Sequence, residues 1–297
     1  MTAGKPLVSA IIVNWNTRNQ LLDCLRAYYA CSDVPAEAVV VDNGSSDGSV
    51  EAVAREFPEA KVIRRRTNVG FGRANNAGLQ VAEGRFILLM NPDVTVMPGC
   101  VGRLADFLLV RPDAGAVGPR LQLPNGLLDE TARRGFPSPS ATLFHYTGLG
   151  KVFPKNERLN RYSMGHLPAT ETHEIDAGTA ACMMVKRSAI DRVGFFDPDY
   201  FMYGEDLDLC YRLKSSGWKV FYLPAARAVH AKSTPSQETS RTLLEYHRAM
   251  WTFHHKHYAA DLPAFANGLV WAGIWARWAV KAGQGAMSQN GHYSGSS

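Results

Sequence analysis

Short apolar runs rich in β-branched residues alternate with amphipathic stretches through the first 120 residues. Leucines and tyrosines recur at helical spacing between residues 21 and 29, and a second helical pattern follows Pro98. The apolar runs predict strands over residues 7–14, 38–42, 61–65, 85–90 and 114–117. This alternation is typical of a mostly parallel sheet covered on both faces by crossover helices. We therefore expect an α/β fold.

The pattern changes after residue 120. Between residues 120 and 173, Pro, Gly and aromatic residues replace the periodicity, and this length predicts a functional loop that contacts substrate. Later strands, expected to extend the same sheet, are predicted near residue 175 and over 182–186, 219–223 and 228–230. Helices are predicted over 205–216, 242–258 and 264–282, before a Gly/Ser-rich tail typical of disorder. We predict an α/β domain over 1–235 and a C-terminal helical extension with a flexible tail over 236–297.

Composition and charge narrow the class of protein. A chain of 297 residues with 46% hydrophobic residues can bury a substantial core, which excludes a disordered tail protein and a disulfide-held small domain. A net charge of +5 argues against nucleic acid as the main partner. Five scattered cysteines without CxxC spacing favour a reducing cytoplasm. No apolar stretch reaches the roughly 20 residues that span a bilayer, so we expect no membrane crossing.

Polar residues follow each of the first four predicted strands. In an open parallel sheet, ligands bind beyond the carboxyl ends of the strands. One such segment alone is explained by turn and helix-cap chemistry, but four at one edge predict a binding site. The segments are Asn14-Trp15-Asn16-Thr17, the run from Asp42 to Gly48, the run from Asn68 to Gly72, and Asn91-Pro92-Asp93.

The second and third segments suit a nucleotide pocket. Asp42 ends a run of valines, where its carboxylate can accept hydrogen bonds from a pyrimidine imide N–H or a ribose hydroxyl. The glycines after Asn68 do not form GxGxxG, and no GxxxxGK[ST] occurs, so both of these phosphate-binding fingerprints fail. We expect Gly70 to let the backbone pass close to a ligand and Arg73 to be available to a phosphate or a base.

Asn91 and Asp93 are predicted to bring an amide oxygen and a carboxylate to the mouth of the sheet. Such oxygens suit Mg²⁺ or Mn²⁺ bridging a diphosphate, because a hard cation held by few protein groups keeps positions for phosphate oxygens. A type I turn with Pro at its second position explains the same residues equally well. His230, at the predicted end of a later strand, is either a structural histidine or a ligand that completes this metal site.

Five carboxylates lie among aromatic residues between positions 195 and 209. Glu205 and Asp206 fall in the first turn of a predicted helix, where the dipole favours anions. Asp208 is expected to face solvent or Arg212. A carboxylate against aromatic walls can have its proton affinity raised, as a general base for a sugar hydroxyl requires. We therefore predict that one of these carboxylates is the base.

In these residues and the motifs around them, the chain resembles bacterial family 2 inverting glycosyltransferases of the GT-A fold, and most closely their rhamnosyltransferase-like branch. The resemblance extends from about residue 6 to residue 232. Each motif is weak alone, but their order and spacing together are highly specific. The motifs are VSAIIVNWN, VVVDNGSSDGS, NVGFGRANNAG, LLMNPDV, the Asp176-Ala177-Gly178 region with CMMVKR after it, and GFFDPDYFMYGEDLDLCYRL.

The resemblance implies transfer of a sugar from a nucleotide diphosphate to an acceptor hydroxyl, with inversion at the anomeric carbon. It implies that Asp42 contacts the nucleotide base, that Asn91-Pro92-Asp93 holds the ribose and the metal-diphosphate, and that Glu205 or Asp206 is the base. We take Asp206 as the base. Asn91 departs from a full Asp-x-Asp motif and removes one negative charge from the metal site. The expected nucleotide-sugar site comprises Asn14, Asn16, Asp42, Asn68, Gly70, Arg73 and Asn91, with Asp93 and His230 as ligands of Mg²⁺ or Mn²⁺.

The branch favours dTDP-rhamnose as donor, and UDP-galactofuranose or a UDP-hexose is the alternative. A deoxysugar methyl group would suit the apolar neighbourhood of Trp15, Phe195 or Met202. The expected acceptor is a glycan or a polyprenyl-linked saccharide in cell-surface polysaccharide synthesis. Two other readings compete: a nucleotidyltransferase, which lacks support because no glycine-rich basic loop follows the first strand, and a catalytically silent protein that binds nucleotide sugars.

Three tryptophans form one stripe on the last predicted helix, at positions 271, 275 and 278. Such a stripe is more often core packing than a membrane anchor, because any docked helix needs an apolar face. Together with Arg277 and Lys281, it also fits a helix lying in a bilayer interface. We therefore expect a cytoplasmic protein and leave open a peripheral contact with the inner face of the plasma membrane.

Overall fold

The computed structural model describes residues 5–153, 155–232 and 240–291. The strands of this part of the chain are β1 (Val8–Asn14), β2 (Ala36–Asp42), β3 (Lys61–Arg64), β4 (Phe86–Met90), β5 (Val94–Val96), β6 (Ala114–Gln122), β7 (His173–Ile175), β8 (Cys182–Lys186) and β9 (Lys219–His230). Its α-helices are α1 (Arg18–Cys31), α2 (Ser49–Glu56), α3 (Phe71–Val81), α4 (Cys100–Val110), α5 (Pro139–Thr147), α6 (Leu149–Val152), α7 (Arg187–Val193), α8 (Glu205–Ser215), α9 (Ser240–His257) and α10 (Ala264–Gly291). Short 3₁₀ turns span Glu130–Ala132 and Ala259–Asp261.

All of these strands belong to one sheet, in the order β3-β2-β1-β4-β8-β6-β9-β5, with β7 paired to β9. Strands β1 to β4 run parallel, whereas β8 is antiparallel to both β4 and β6, and β5 and β7 are antiparallel to β9. The α/β prediction is confirmed, and the first half of the sheet is parallel as expected. Strands β6 and β9 run in the same direction as β4, and the antiparallel pairs arise because β8, β5 and β7 run in the opposite direction.

Most of the predicted elements lie within two residues of the observed ones. The two short strands predicted over 219–223 and 228–230 form one strand, β9, whose register with β6 shifts between Pro119 and Arg120. α10 continues to Gly291, so residues 283–291, predicted as part of the disordered tail, are helical. The Gly/Ser-rich composition alone therefore did not mark where the helix ends. Most of the polar stretch, and residues 292–297 of the tail, lie outside the described residues.

The core positions the polar edge of the sheet. Every residue of β1 and β4 is buried, and Leu21, Leu25 and Tyr28 of α1 are part of the same core. Burying each large apolar side chain contributes about 1.5–3 kcal/mol, so the register of these strands is strongly fixed. In that register Asn14 lies beside Asp42, at the same edge as the carboxyl end of β4.

Candidate active site

The carboxyl ends of β1 and β2 are joined by a buried hydrogen-bond network. Nδ2 of Asn14 donates to Oδ1 of Asp42 at 3.1 Å and to Oγ of Ser45 at 3.1 Å. The second carboxylate oxygen of Asp42 accepts the backbone N–H of Ser45 at 3.0 Å. Asp42 is 1% exposed. The network fixes this carboxylate at the edge of the sheet.

Asn16 holds the loop that follows β2. Its backbone is left-handed, with φ of +53°, and its Oδ1 accepts the N–H of Ser46 at 2.8 Å. Its own N–H donates to Oγ of Ser45 at 2.9 Å. Asn is among the residues that adopt this conformation most readily. Asn16 therefore shapes the wall of the predicted nucleotide site through the 42–48 loop.

The third polar segment is tied to the second through side-chain amides. Nδ2 of Asn43 donates to Oδ1 of Asn68 at 2.9 Å, and Oδ1 of Asn43 accepts the N–H of Val69 at 3.0 Å. Oδ1 of Asn68 also accepts the N–H of Gly70 at 2.9 Å. Three of the four predicted polar segments therefore meet at one edge of the sheet.

Gly70 and Arg73 approach another part of the chain. Gly70 has φ of +92°, and a Cβ placed there would lie 2.5 Å from the carbonyl oxygen of Phe201. Nε of Arg73 donates to the carbonyl oxygen of Pro198 at 3.2 Å. Position 70 requires glycine because the backbone of the segment before α8 passes close to it. Gly70 and Arg73 both hold that segment against α3.

The fourth segment faces the end of β9. Val94 pairs with His230, and the N–H of Ala231 donates to the carbonyl oxygen of Asp93 at 2.9 Å. This pairing brings Nε2 of His230 to 3.5 Å from Oδ1 of Asp93. Oδ1 of Asn91 is buried and has no hydrogen-bond partner among the described residues. The sequence predicted this meeting of Asp93 and His230.

Asp129, which the sequence did not single out, orients the imidazole of His230. Its Oδ2 lies 2.7 Å from Nδ1 of His230, and its Oδ1 lies 2.8 Å from Nζ of Lys232. Asp129 is fully buried and also accepts the N–H of Thr131 at 2.9 Å. Burial lowers the pKa of His230, but the hydrogen bonds to Asp129 and Asp93 outweigh it and raise the pKa to about 9. With Nδ1 held by a carboxylate, Nε2 is directed towards Asp93.

The raised pKa of His230 means that its Nε2 must release a proton before it can bind a cation. With that proton gone, a carboxylate oxygen, an imidazole nitrogen and an unpartnered amide oxygen are a donor set that fits Mg²⁺ or Mn²⁺. In the described part of the chain, no group of three or more His, Cys, Asp or Glu side chains is arranged to hold a metal ion. A cation between Asp93 and His230 would therefore need further ligands from a bound diphosphate.

The Glu205-Asp206 pair begins α8, after Gly204 with φ of +80°. Oδ2 of Asp206 accepts Nη2 of Arg134 at 2.6 Å and the N–H of Ala180 at 3.3 Å. The N–H of Asn91 in turn donates to the carbonyl oxygen of Ala181 at 2.9 Å. The residues before β8 therefore link the Asn91 segment to Asp206.

The two adjacent carboxylates of the pair differ in environment. Oε2 of Glu205 is buried with no hydrogen-bond partner in the described residues. Burial, and then the neighbouring charge of Asp206, raise the pKa of Glu205 to about 8. Asp206 has the guanidinium of Arg134 and a backbone N–H to stabilise its negative charge. At neutral pH Glu205 therefore holds its proton, whereas the carboxylate of Asp206 is bound by a guanidinium and a backbone N–H.

The other carboxylates of this region have structural partners. Asp208 is buried and binds Nε of Arg212 and Nε2 of His257, each at 2.8 Å, so it faces Arg212 and not solvent. Asp197 and Asp199 both bind Nζ of Lys256, at 2.5 and 2.7 Å. These contacts fasten α9 to the segment before and within α8.

A cavity of about 610 Å³ opens at this edge of the sheet, but Asp42 and Asp93 are not among the residues that line it. Asn91, His230, Glu205 and Asp206 line it on the sheet side. The opposite wall comes from α9 and α10 and is largely apolar, with Ala249, Met250, Phe253, Val270 and Ile274. Of the three side chains considered for a sugar methyl group, Met202 lines the cavity, Phe195 stacks on Phe196, and Trp15 is 54% exposed.

The segment over 120–173 supplies two residues that sequence reasoning missed, Asp129 and Arg134. The length of this segment predicted a functional loop, but nothing in the local pattern distinguished these side chains. Arg134 is positioned by paired backbone hydrogen bonds with Ala177, both at 2.8 Å. The Asp176-Ala177-Gly178 motif, whose Ala177 pairs with Arg134, was the sequence feature that could have pointed to a contact with the 120–173 segment.

The sequence matches the family model described as glycosyltransferase like family 2 over residues 5–251. The chain is 30% identical over 265 residues to the N-acetylglucosaminyl-diphospho-decaprenol L-rhamnosyltransferase of Mycobacterium tuberculosis, covering 85% of this chain and 84% of that protein. It is 27% identical over 169 residues to the rhamnosyltransferase WbbL of Escherichia coli K12, covering 54% of this chain and 60% of that protein.

Solved structures show the same fold. GalNAc-T7, crystallised with UDP, GalNAc and Mn²⁺, matches with a TM-score of 0.61 at 16% identity, over 89% of this chain and 54% of that one. The mannosyltransferase PcManGT from Pyrobaculum calidifontis, in complex with GDP-Man and Mn²⁺, matches with a TM-score of 0.59 at 18% identity, over 99% of this chain and 76% of that one. The chain has the GT-A fold and belongs to glycosyltransferase family 2.

Proposed function

We propose that the protein transfers L-rhamnose from dTDP-rhamnose to a hydroxyl of a lipid-linked saccharide, with inversion at the anomeric carbon. The choice of sugar and acceptor is supported by the rhamnosyltransferase of M. tuberculosis, whose name specifies a decaprenyl-linked substrate. The observation that carries the chemistry is that Asn91, His230 and Asp206 line one cavity. Sugar transfer requires a diphosphate site and a base at one reaction centre.

The donor nucleotide binds at the ends of β1 to β3 in this proposal. Asp42, held by Asn14 and Ser45, accepts a hydrogen bond from the imide N–H of thymine. Asn16 and Asn68 hold the surrounding loops in shape. Asn91 lies closer to the cavity and offers its free amide oxygen to the ribose or the diphosphate.

Asp93 and His230 would hold Mg²⁺ or Mn²⁺ when the donor is bound, with the Nε2 proton of His230 released to solvent as the cation binds. The metal supplies positive charge that offsets the negative charge developing on the diphosphate as it leaves. Two solved relatives of the fold were crystallised with Mn²⁺. Asp129 keeps Nε2 of His230 directed at this position through its hydrogen bond to Nδ1.

Asp206 acts as the general base. The acceptor oxygen forms a bond to the anomeric carbon while the bond to the diphosphate oxygen breaks, and the electron pair leaves with dTDP. The hydroxyl proton passes to the carboxylate of Asp206, which the guanidinium of Arg134 holds at the cavity. Glu205, which holds its own proton at that pH, is less suited to accept another.

The acceptor enters along α9 and α10. Their apolar residues form the cavity wall that faces Asp206, which suits the lipid-proximal part of an acceptor better than a free polar glycan. In this arrangement residues 1–235 are the nucleotide-sugar-binding and catalytic domain, and α9 and α10 of the C-terminal extension predicted over 236–297 meet the acceptor. The protein then works at the inner face of the plasma membrane without crossing it.

The proposal is tested with purified protein, Mn²⁺ and a short-chain polyprenyl-diphosphate N-acetylglucosamine acceptor. dTDP-rhamnose, UDP-galactofuranose and UDP-glucose are compared as donors, and the anomeric configuration of the product is read by NMR. We expect transfer from dTDP-rhamnose with inversion, and loss of at least a hundredfold in kcat for Asp206→Asn. Binding of dTDP-rhamnose without transfer would instead identify a catalytically silent nucleotide-sugar binding protein.

A further inference from the structure

The helix α10 has two apolar faces. One packs towards α9 and the cavity and includes Ile274, which is buried, and Val270. Trp275 also lies on the α9 side, where it lines a second cavity with Trp251 and Arg248. The opposite face, here called the outer face, consists of Phe265, Gly268, Leu269, Ala272, Ala276, Ala279 and Val280, all of which are exposed.

The outer face is apolar over its whole length. At about 100° per residue, its members fall within a sector of about 120° on the helix. Phe265, Leu269 and Val280 are 74%, 70% and 61% exposed. The sector contains no charged or polar side chain between residues 265 and 280. A helix on a protein surface in water normally carries polar residues on its outer side, so this face needs an apolar covering.

The residues at the sides of the outer face indicate which covering fits. Trp271, half exposed, borders it on one side, whereas Arg277 lines the cavity with Val270 and Ile274. Trp at the boundary of an apolar face is typical of a helix lying in a bilayer interface, where aromatic rings meet lipid headgroups. Of the five basic residues from 241 to 281, Lys256 is paired with Asp197 and Asp199. The chain as a whole carries a net charge of +5, which favours an anionic surface.

The apolar outer face of α10 is not a membrane-spanning segment. Among the described residues, no helix is long and apolar enough to span a bilayer. The outer face from residue 265 to 280 is about 24 Å long, which suits a helix that lies flat on a membrane.

We propose that the outer face of α10 docks side-on into the interface of an anionic lipid bilayer. This inference rests on the proposed function for its purpose, since it brings the acceptor cavity, lined by the other side of the same helix, to the membrane surface. The docking differs from the membrane contact that the tryptophan stripe suggested. Trp275 packs towards α9, and Phe265, Leu269 and Val280 make the lipid contact.

The docking is tested by sedimentation with vesicles of phosphatidylcholine containing 30% phosphatidylglycerol, against vesicles of phosphatidylcholine alone. We expect the protein to bind the anionic vesicles at least tenfold more strongly than the neutral ones, with binding weakened at high salt. The double variants Phe265→Ser/Leu269→Ser and Phe265→Glu/Leu269→Glu should each lose at least tenfold in partition coefficient. Val110→Glu, which alters an equally exposed apolar residue on α4, should bind as the parent does.

Two measurements keep this test separate from the proposed function. Circular dichroism and the thermal midpoint establish that each variant is folded, and rhamnose transfer to a water-soluble short-chain acceptor should stay within twofold of the parent. Vesicle binding by a parent that transfers no rhamnose would leave the docking intact and refute the function. The docking is overturned if both double variants bind vesicles like the parent, or if light scattering shows a parent dimer that they convert to monomer without any vesicle binding.

Discussion

Nη2 of Arg134 lies 2.6 Å from Oδ2 of Asp206, although 72 residues separate them in the chain. The same nitrogen donates to the carbonyl oxygen of Gly178 at 2.9 Å. Arg134 is almost enclosed, and a guanidinium in such a position stabilises the charged form of the carboxylate that it faces. Arg134 is thus a positioning residue, which holds the carboxylate of Asp206 at the cavity through a charge-assisted hydrogen bond.

Replacing Arg134 should therefore change the pH dependence of the reaction. In Arg134→Met, Asp206 loses its cationic partner and holds a proton more tightly, so the acid limb of kcat/KM moves to higher pH. We expect a loss of about a hundredfold at pH 6.5 and a smaller loss at pH 8.5, measured by rhamnose transfer at saturating acceptor.

Two further variants separate positioning from stability. Breaking a buried ion pair can cost about 3–5 kcal/mol, so Arg134→Lys, which keeps the charge, provides a folded comparison with a smaller shift. Arg133→Met removes the neighbouring guanidinium, which binds the carbonyl oxygen of Leu167, and should leave the pH profile in place. An unchanged acid limb in folded Arg134→Met would exclude this role for Arg134.

The sequence predicted the parallel half of the sheet because its strands are apolar throughout and end in polar segments. It also predicted that Asp93, which follows β4, and His230, which ends β9, come together at that edge. Their role as metal ligands stays a prediction. It did not predict Asp129 or Arg134. Both lie in the aperiodic 120–173 segment, and their roles come from tertiary contacts with His230 and Asp206 that no local pattern encodes.

The choice between Glu205 and Asp206 as base predicts different outcomes for two isosteric variants. Asp206→Asn removes the proton acceptor and should lower kcat by about 10²–10⁴. Glu205→Gln replaces a side chain that is already protonated at neutral pH, and should lower kcat by less than tenfold. Single-turnover transfer at pH 7 measures both effects. The reverse order of severity would make Glu205 the base.

The raised pKa of Glu205 also makes stability depend on pH. The native state holds this proton up to about pH 8, whereas the unfolded state releases it near 4.5. The native state therefore binds more protons between these values, so this residue's contribution to stability is present at low pH and is lost as pH rises towards 8 and above. The loss from this group is at most about 1.4 kcal/mol per pH unit.

Glu205→Gln should remove that dependence. Urea unfolding at pH 5.5, 7.0 and 8.5 should show the variant gaining stability relative to the parent as the pH rises. Glu174→Gln, which alters a more exposed carboxylate paired with Lys214, is the control and should show no such gain. Parallel stability curves for Glu205→Gln and its parent would contradict the assignment of a bound proton to Glu205.

Asp129 should affect metal affinity although it does not face the cation. Asp129→Asn weakens the hydrogen bond that orients His230 and should reduce Mn²⁺ affinity by about 10- to 100-fold. Electron paramagnetic resonance of free Mn²⁺ in the presence of dTDP measures this without turnover. Asp113→Asn, which breaks an ion pair with Arg111 and Lys219 at a distance from the site, serves as the matched control. Equal Mn²⁺ affinity in folded Asp129→Asn and parent would rule out the orienting role.

Gly70 should be intolerant of a side chain for two separable reasons. Its φ of +92° is a conformation that alanine adopts at a cost of about 1–2 kcal/mol, and a Cβ there would lie 2.5 Å from the carbonyl oxygen of Phe201. Gly126 shares a positive φ of +82°, but its Cβ would have no described atom within 4 Å. Gly126→Ala therefore measures the backbone cost alone.

We expect Gly70→Ala to be destabilised by at least about 1 kcal/mol more than Gly126→Ala in urea unfolding, because the steric conflict is added to the backbone cost. The conflict lies between α3 and the segment that leads to Glu205 and Asp206. The variant should therefore also lose transfer activity at temperatures where it is still folded, whereas Gly126→Ala should not. Equal destabilisation of the two variants would mean that the contact with Phe201 relaxes freely and that this segment is not fixed by Gly70.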